Sequence, residues 1–229
     1  MPKRGKRYID MLKDFDRQKD YPIEEAVELV RKFATAKFDE TIEMHFRLGI
    51  DPRQADQQIR TTLMLPHGLG KSVTVLVFAE GEDARAATEA GADIIADDEV
   101  IQRIQKDGWT EFDAAIAVPS MMPKVGRLGR VLGPRSLMPT PKAGTVVQPA
   151  DLPRAIEELK SGRLEFRNDR TGNVHLPVGK ASFDQATLLA NVQATLDALE
   201  ANKPSGVKGV YIRRVTITST MGPGIHIDI

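Results

Sequence analysis

The stretch Thr41-Ile42-Glu43-Met44-His45-Phe46-Arg47-Leu48-Gly49-Ile50 places apolar residues at its even positions and mostly polar residues at its odd positions. A period of two is typical of a β-strand that buries one face and exposes the other. Antiparallel sheets covered on a single side produce this pattern. The stretch therefore predicts a strand of an antiparallel sheet with a polar outer face.

A second stretch has a different character. Val73-Thr74-Val75-Leu76-Val77-Phe78-Ala79 is apolar almost without interruption, as expected of a strand buried on both faces of a parallel sheet. Helical patterns over about 82–90 and 99–106 alternate with short apolar strands at 92–96 and 114–118. This succession of strands and helices predicts a parallel α/β sandwich.

The chain on either side of this middle part combines amphipathic helices with short, alternating strands. The helices are predicted over 23–35 and 183–201, and the strands over 61–65, 164–167, 173–178, 210–219 and 224–229. Ser182 and Gln185 form a capping box at the start of the second helix. The predicted buried stripe of that helix consists of Ala186, Leu189, Val192, Leu196 and Leu199.

We therefore predict an α/β protein of two domains. Both termini, residues 1–68 plus 160–229, form an α+β antiparallel-sheet domain, and residues 69–159 form an inserted Rossmann-like parallel α/β domain. Glycines near 68–70 and at 162 allow unusual backbone conformations, and we expect hinges there.

Charge and cysteine content narrow the possible functions. The 229 residues carry 32 basic and 32 acidic side chains, and a zero net charge argues at first against nucleic acid as a partner. The charges are unevenly distributed, however, and local patches matter more than the total. The absence of cysteine excludes disulfides, zinc ribbons and iron–sulfur clusters and suits a reducing cytoplasm. No apolar run approaches the roughly 20 residues of a membrane span.

A search for catalytic, cofactor and metal motifs finds none. The segment 67–72, His-Gly-Leu-Gly-Lys-Ser, lacks the first glycine of a phosphate loop, because that position is Leu65. It also precedes a predicted strand instead of following one. No histidine pair has the spacing of a helical metal site, and the acidic run 97–99 fits a helix start. The sequence therefore predicts no catalytic residues, metal or cofactor, and points to binding.

A basic segment rich in glycine and proline is one candidate for binding. Between 114 and 150 there are five basic residues and no acidic ones: Lys124, Arg127, Arg130, Arg135 and Lys142. Such a loop suits contact with phosphates. A solvated basic loop remains the alternative.

Two further segments offer contacts of another kind. Phe38 follows Lys37 in a loop before the first strand, where it can stack on a base or fold back on the preceding helix. Glu43 on the polar face can accept hydrogen bonds from base amino groups or a 2′-hydroxyl. The segment 220–223, Thr-Met-Gly-Pro, offers hydroxyl, apolar and backbone groups, with a plain turn as the alternative.

Four segments together resemble one family. Ala34-Thr-Ala-Lys-Phe-Asp-Glu-Thr-Ile-Glu43, Leu65-Pro-His-Gly-Leu-Gly-Lys71, Gly162-Arg-Leu-Glu-Phe-Arg-Asn-Asp169 and Thr220-Met-Gly-Pro223 are similar to the L-one family of bacterial large-subunit ribosomal proteins. The resemblance spans essentially the whole chain. Ser136 and Thr140 depart from it, since the family more often has Gly and Asn there.

The resemblance implies a split domain that binds large-subunit rRNA at the mobile stalk beside the tRNA exit site. On the matching positions, the rRNA and mRNA site would comprise Lys37, Phe38, Thr41, Glu43, Arg167, Asp169, Thr171, Thr220, Met221, Gly222 and Pro223. A secondary contact with RNA or tRNA would use Lys124, Arg127, Arg130, Arg135 and Lys142. The implied partners are rRNA, exit-site tRNA and the protein's own operon mRNA, whose translation it would repress, with no membrane and no small-molecule substrate. The protein would act as a monomer within the ribosome.

The sequence leaves two alternative functions open. The middle domain could belong to a nucleotide-binding α/β enzyme, although its failed phosphate motifs argue against this. The chain could also be a scaffold that binds only proteins.

Overall fold

A computed structural model describes residues 5–229, except for the side chain of Lys142. The described residues form eight α-helices: α1 (Lys6–Met11), α2 (Ile23–Phe33), α3 (Glu82–Glu89), α4 (Asp98–Asp107), α5 (Met122–Gly126), α6 (Gly129–Leu132), α7 (Leu152–Lys160) and α8 (Gln185–Ala201). They also form ten strands: β1 (Asp20–Tyr21), β2 (Thr41–Leu48), β3 (Arg60–Met64), β4 (Val75–Phe78), β5 (Ile94–Ile95), β6 (Ala114–Ala117), β7 (Arg163–Arg167), β8 (Asn173–Lys180), β9 (Ile212–Ser219) and β10 (Ile225–Ile227). The predicted mixed α/β architecture is confirmed.

The described chain divides into two compact units. The first unit contains the described residues up to Gly70 together with Glu165–Ile229, and the second contains Lys71–Leu164. At the end of the first segment, Gly70 has a φ of +67°, and a Cβ there would lie 2.6 Å from the Phe183 ring. Only glycine fits this position without strain.

The first unit is organised by a five-stranded sheet of order β1-β10-β9-β2-β8. β1 runs parallel to β10, and the other neighbours are antiparallel. Ile42, Met44, Phe46 and Leu48 of β2 are buried, and α2 and α8 pack on the sheet. The alternation of β2 therefore has the predicted cause, because one face of the strand is in the core and the other is not.

The start of α8 differs from the prediction. Asp184, not Ser182, is the N-cap residue, and its carboxylate accepts from the backbone N–H of Thr187 at 3.3 Å. Ser182 instead donates its hydroxyl to Asp39 at 2.8 Å. The capping-box prediction was wrong because Ser182 has a stronger, long-range partner.

The buried stripe of α8 is also rotated from the predicted one. Ala186 is exposed and Leu189 is half-buried, whereas Leu188, Asn191 and Thr195 are buried with Val192, Leu196 and Leu199. The two polar residues are tolerated in the core because both are hydrogen-bonded. Asn191 donates to the carbonyl of Val178 at 2.8 Å, and Thr195 donates to the carbonyl of Asn191 at 2.8 Å.

The second unit contains a parallel sheet of order β5-β4-β6. All four residues of β4 are buried, because apolar clusters cover both of its faces. Leu76 and Phe78 pack with Ile104 on one side, and Val75 and Val77 pack with Ile156 on the other. Burial of this strand on both faces is confirmed.

The basic segment is more ordered than predicted. In place of an open loop it contains α5, α6 and short 3₁₀ turns. Val125, Leu128 and Leu132 are fully buried, and this helical spacing anchors the segment to the parallel sheet. The interpretation as a loop failed because glycine and proline obscured these apolar positions.

The two departures from the family pattern occupy defined positions in that segment. Ser136 has a φ of 58°, a left-handed conformation that suits glycine better than serine. Thr140 is the N-cap of the 3₁₀ turn Pro141–Ala143 and accepts from the N–H of Ala143 at 3.4 Å. Asn is also a good N-cap residue, so either side chain suits this position.

Candidate nucleic-acid interface

The five-stranded sheet has a polar face, which we define by Thr41, Glu43, His45 and Arg47 of β2. These side chains are half-buried or exposed, whereas the residues between them are buried. The neighbouring strands contribute polar and charged residues opposite them: Thr218, Thr216 and Arg214 from β9, and Lys180, His175 and Asn173 from β8. The predicted polar face is therefore present, and it extends across at least three strands.

At one end of this face, two large apolar side chains are displayed to solvent. Phe38 is 55% exposed and Met221 is 50% exposed, so Phe38 does not fold back on α2. We call this the apolar end, and Lys37 beside Phe38 is also exposed. Most large apolar residues of the first unit lie in its core, so their exposure here needs a local structural reason.

Glu40 supplies that reason. Its carboxylate is almost completely buried and accepts from the N–H groups of Ala36 and Met221, both at 2.8 Å, and from the Ser219 hydroxyl at 2.8 Å. Burial acts to raise the pKa of Glu40, but the hydrogen bonds from Met221, Ala36 and Ser219 outweigh it and hold the pKa below its ordinary value. One carboxylate thus joins the segment that carries Phe38 to the turn that carries Met221.

Threonine side chains reinforce this connection. The Thr220 hydroxyl accepts from the N–H of Thr41 at 3.0 Å, and the N–H of Thr220 donates to the Thr41 carbonyl at 3.0 Å. The Thr41 hydroxyl accepts from the Lys180 ammonium at 2.8 Å. Both predicted threonines therefore hold the apolar end together, and their hydroxyls already have partners.

The turn at 220–223 is tightly constrained. A Cβ on Gly222 would lie 2.5 Å from the Ser219 hydroxyl oxygen, so a side chain there would disturb the bond from Ser219 to Glu40. Pro223 is buried. Its ring shapes the turn that presents Met221, and the role of Pro223 as an RNA contact stays a prediction.

The predicted hairpin residues lie at the other end of the polar face. Asn173, which ends the turn, is paired with Arg47, whereas the apolar end adjoins Thr41. Six residues of extended strand separate Thr41 from Arg47, a distance of about 20 Å. The structure therefore does not bring Arg167, Asp169 and Thr171 together with Phe38 and Met221.

Asp169 is committed to the hairpin turn itself. Its carboxylate accepts from the N–H groups of Thr171 and Asn173 at 2.8 and 2.7 Å, and from their side chains at 2.7 and 3.2 Å. Burial acts to raise its pKa, but these hydrogen bonds prevail and lower it to about 2. Asp169 and Thr171 therefore shape the turn, while Arg167 is exposed beside it.

Between the two ends lies a histidine pair whose contact the sequence did not predict. The Nδ1 atoms of His45 and His175 are 2.8 Å apart. Burial lowers the pKa of His45, and the neighbouring His175 lowers it further, while Glu43 acts in the opposite direction. The strand pattern assigned His45 to the polar face, but only the cross-strand register brings the two rings together.

The basic segment of the second unit has a mixed character. Lys124 is paired with Glu80 and, at 3.0 Å, with Asp98, so much of its charge is neutralised within the protein. Arg127, Arg130 and Arg135 are exposed. The side chain of Lys142 lies outside the description. Among the side chains of this segment that the structure describes, the three arginines carry the anion-binding potential.

The comparison with known proteins settles the family. The model of the ribosomal protein L1p/L10e family matches residues 30–223. The chain belongs to the ribosomal protein L1p/L10e family. "Large ribosomal subunit protein uL1" from Chloroflexus aggregans is 57% identical over 229 residues, covering 100% of this chain and 97% of that protein. The protein of the same name from Chloroflexus aurantiacus is 57% identical over 228 residues, covering 96% of its length.

Membership of the L1p/L10e family fits the chemistry of the described residues. Family proteins are ribosomal components, which places this chain in the ribosome, in the cytoplasm, and argues against an enzyme. In the described part of the chain, no group of three His, Asp or Glu side chains could hold a metal ion. No helix among these residues is long and apolar enough to cross a membrane.

Proposed function

We propose that this protein is a structural constituent of the large ribosomal subunit and binds large-subunit rRNA with the polar face of its first unit. The observation that carries the proposal is the apolar end. Phe38 and Met221 stay exposed because the buried Glu40 fixes both of their segments. A rigid, exposed aromatic side chain suits stacking on an unpaired base.

The polar face extends this contact. The Glu43 carboxylate offers hydrogen-bond acceptors to base amino groups and to 2′-hydroxyls, which distinguish RNA from DNA. The Thr218 hydroxyl next to it donates to the carbonyl of Ser219 at 3.0 Å, so its oxygen can add only an acceptor. Lys37 adds a cation beside Phe38 for a phosphate. The hairpin turn contributes through exposed Arg167, while Asp169 and Thr171 set the shape of the turn.

Affinity measurements with an rRNA fragment test this site. We expect Phe38→Ala and Met221→Ala each to weaken binding by roughly 1–3 kcal/mol without unfolding the protein. Met64→Ala is the matched control, because Met64 is 47% exposed in the same unit but lies on β3, outside the polar face. Unchanged affinity in both site variants would refute the assignment.

The same proposal extends to the location and regulation of the protein. The rRNA site is at the mobile stalk beside the tRNA exit site, and the protein represses translation of its own operon mRNA through the same surface. If one surface serves both RNAs, an unlabelled mRNA leader should compete with the rRNA fragment, and Phe38→Ala should weaken both complexes equally. Loss of one complex alone would show that the sites are separate.

The second unit assists the release of deacylated tRNA in this proposal. Arg127, Arg130 and Arg135 provide its contact with the tRNA phosphates. Replacing all three by Gln should slow the departure of tRNA from the exit site in reconstituted ribosomes while leaving rRNA affinity unchanged. A normal rate of tRNA release in this triple variant would show that the basic segment does not assist release.

The first unit should carry the rRNA affinity alone. A chain in which a short glycine–serine linker joins Gly70 to Glu165 should fold and bind the rRNA fragment. A folded deletion protein without RNA affinity would contradict the proposal. No observation of the structure favours a nucleotide-binding enzyme or a protein-only scaffold.

A further inference from the structure

An arginine cluster lies at the end of the polar face that is remote from Phe38 and Met221. Arg47 of β2 is directly opposite Arg214 of β9 in the strand register, and both side chains are exposed. Like charges that face each other across neighbouring strands destabilise a sheet. The pairing of Arg47 with Arg214 therefore lowers the stability of the sheet and is not explained by folding.

A β-bulge places a third arginine next to Arg214 along β9. Arg47 pairs with Arg214, but Leu48 pairs with Ile212, so Arg213 is the extra residue of β9. Bulges re-aim side chains and are frequent near functional sites. Arg213 is exposed, and its side chain lines an open cavity of about 410 Å³ together with Gly49, Asp51 and Lys208.

The acidic groups around the cluster do not neutralise it. Glu43 lies farther along β2, and Asp20 of β1 is paired with His226 of β10. Asp228 follows β10, Asp51 borders the cavity, Asp56 lies against Gly206 of the same cavity, and Asp169 is occupied by the hairpin turn. Within the described part of the chain, none of these carboxylates lies within ion-pair distance of Arg47, Arg213 or Arg214. By contrast, Lys124, Lys160 and Arg163 of the same chain are all ion-paired.

We propose that Arg47, Arg213 and Arg214 form a binding site for the phosphate backbone of RNA. This inference rests on the proposed rRNA function and adds a second anchor to it. The planar guanidinium group matches phosphate with two parallel hydrogen bonds, and a bound phosphate relieves the repulsion between Arg47 and Arg214. One RNA strand crosses the polar face for about 20 Å, from stacking contacts at the apolar end to phosphate contacts at the arginine cluster.

The ligand is RNA and not an acidic protein segment because the cluster continues the same face. His45 and Thr216 lie between the arginines and Glu43, where the Nδ1 atom of His45 contacts His175 and the Thr216 hydroxyl contacts the Nδ1 atom of His226. Ring nitrogens and hydroxyls suit sugar and phosphate oxygens, whereas additional cations would suit a polyacidic peptide.

Salt-dependent affinity of the full chain for a large-subunit rRNA fragment tests the proposal. The variants are Arg47→Gln, Arg213→Gln and Arg214→Gln, singly and together. Each lost phosphate contact should weaken binding roughly five- to eightfold at 0.1 M salt and reduce the slope of log K against log salt by about 0.7–0.9. The triple variant should show about three times the single effect on the slope.

Two controls separate charge from position. Lys32→Gln removes a cation from α2, on the covered side of the sheet where Lys32 pairs with Asp14, and should leave the slope unchanged. Arg214→Lys keeps the charge and should retain most of the wild-type slope. Because the arginines repel one another, their replacement should not lower the melting temperature, so a loss of binding will not reflect unfolding.

The outcomes distinguish this site from the proposed function. If the wild-type protein binds RNA and Phe38→Ala weakens binding, but the arginine variants retain wild-type affinity and slope, the arginine site is refuted. If the arginine variants bind RNA normally but lose affinity for a polyglutamate probe, the ligand class is wrong. If the wild-type protein does not bind the rRNA fragment, the proposed function itself fails.

Discussion

The two ends of the polar face are stabilised in the same way, but the side chains that they expose differ. At each end one carboxylate accepts several hydrogen bonds and keeps its pKa low: Glu40 at the apolar end and Asp169 at the hairpin turn. Glu40 joins segments that are distant in the chain, whereas Asp169 accepts its hydrogen bonds from Thr171 and Asn173 nearby and lies 3.8 Å from the Nε2 atom of His175. The hydrogen bonds of Glu40 hold Phe38 and Met221 in exposed positions, whereas Asp169 lies at the same end of the face as the arginine cluster.

Under the proposed function, this difference explains how a protein of zero net charge would bind RNA. The apolar end offers a fixed shape, for which affinity depends little on salt, and the arginine end offers phosphate contacts, for which affinity depends strongly on salt. A division of this kind needs only a few cations, and acidic residues elsewhere can balance them. Substitutions at each end test whether the two ends differ in this way.

The largest effect should come from Glu40→Ala. This change leaves two backbone N–H groups and the Ser219 hydroxyl without their acceptor in a buried site, and we expect a loss of about 2–4 kcal/mol in the free energy of unfolding. RNA affinity should fall as well, because Phe38 and Met221 are no longer fixed. Denaturant titration measures the first effect, and a loss below about 1 kcal/mol would contradict the role of Glu40.

The pH dependence of stability provides a second test of Glu40. Because its pKa is lower in the folded protein than its ordinary value of 4.5, its stabilising effect is fully present above pH 4.5. The effect is lost as the pH falls through the lowered pKa, since the unfolded state then binds the proton more readily. Glu40→Gln should make the stability of the protein less sensitive to pH in this acidic range.

Asp169→Ala should have a smaller and more local effect. The turn loses four hydrogen bonds, but its groups lie near solvent and can bond to water, so we expect a loss of about 1–2 kcal/mol. Asp169→Ala should affect only the RNA contacts at the arginine end. Phe38→Ala should therefore reduce RNA affinity by the same factor in the Asp169→Ala variant as in the wild type. A double-mutant cycle measures this independence, and strong coupling would show that the two ends are not separate.

The smallest effect should come from the histidine pair between the ends. His45 has a pKa below its ordinary 6.5 in the folded protein, so the unfolded state binds a proton first as the pH falls. Stability should therefore decrease slightly as the pH drops below 6.5 and should not depend on this group above it. In His45→Gln this part of the pH dependence should disappear, and a stability that rises on acidification would contradict the assignment.

The sequence predicted those features that depend on local pattern. The alternation of β2 placed Glu43 on a polar face, and the position of Phe38 in a loop allowed for its exposure. The role of Glu40 was not predictable, because its partners Ser219 and Met221 are about 180 residues away in the chain. Asp39 and Glu40 look equivalent in sequence, yet one is exposed and the other is buried.

Register and burial account for the other differences. The pairing of Arg47 with Arg214 depends on how β2 and β9 align, and the bulge at Arg213 has no signature in the sequence. The family resemblance assigned Asp169 and Thr171 to the same RNA site as Phe38, because matching sequence motifs give no distances between residues. Their separation by about 20 Å of strand follows only from the sheet topology.

The most direct test of the proposed RNA-binding face is methyl NMR of methionine-labelled protein during titration with the rRNA fragment. Met221 reports on the apolar end, exposed Met64 reports on a surface outside the polar face, and Met138 reports on the second unit. We predict that the Met221 resonance shifts or broadens while those of Met64 and Met138 remain in place. Changes at Met64 with an unperturbed Met221 would contradict the account.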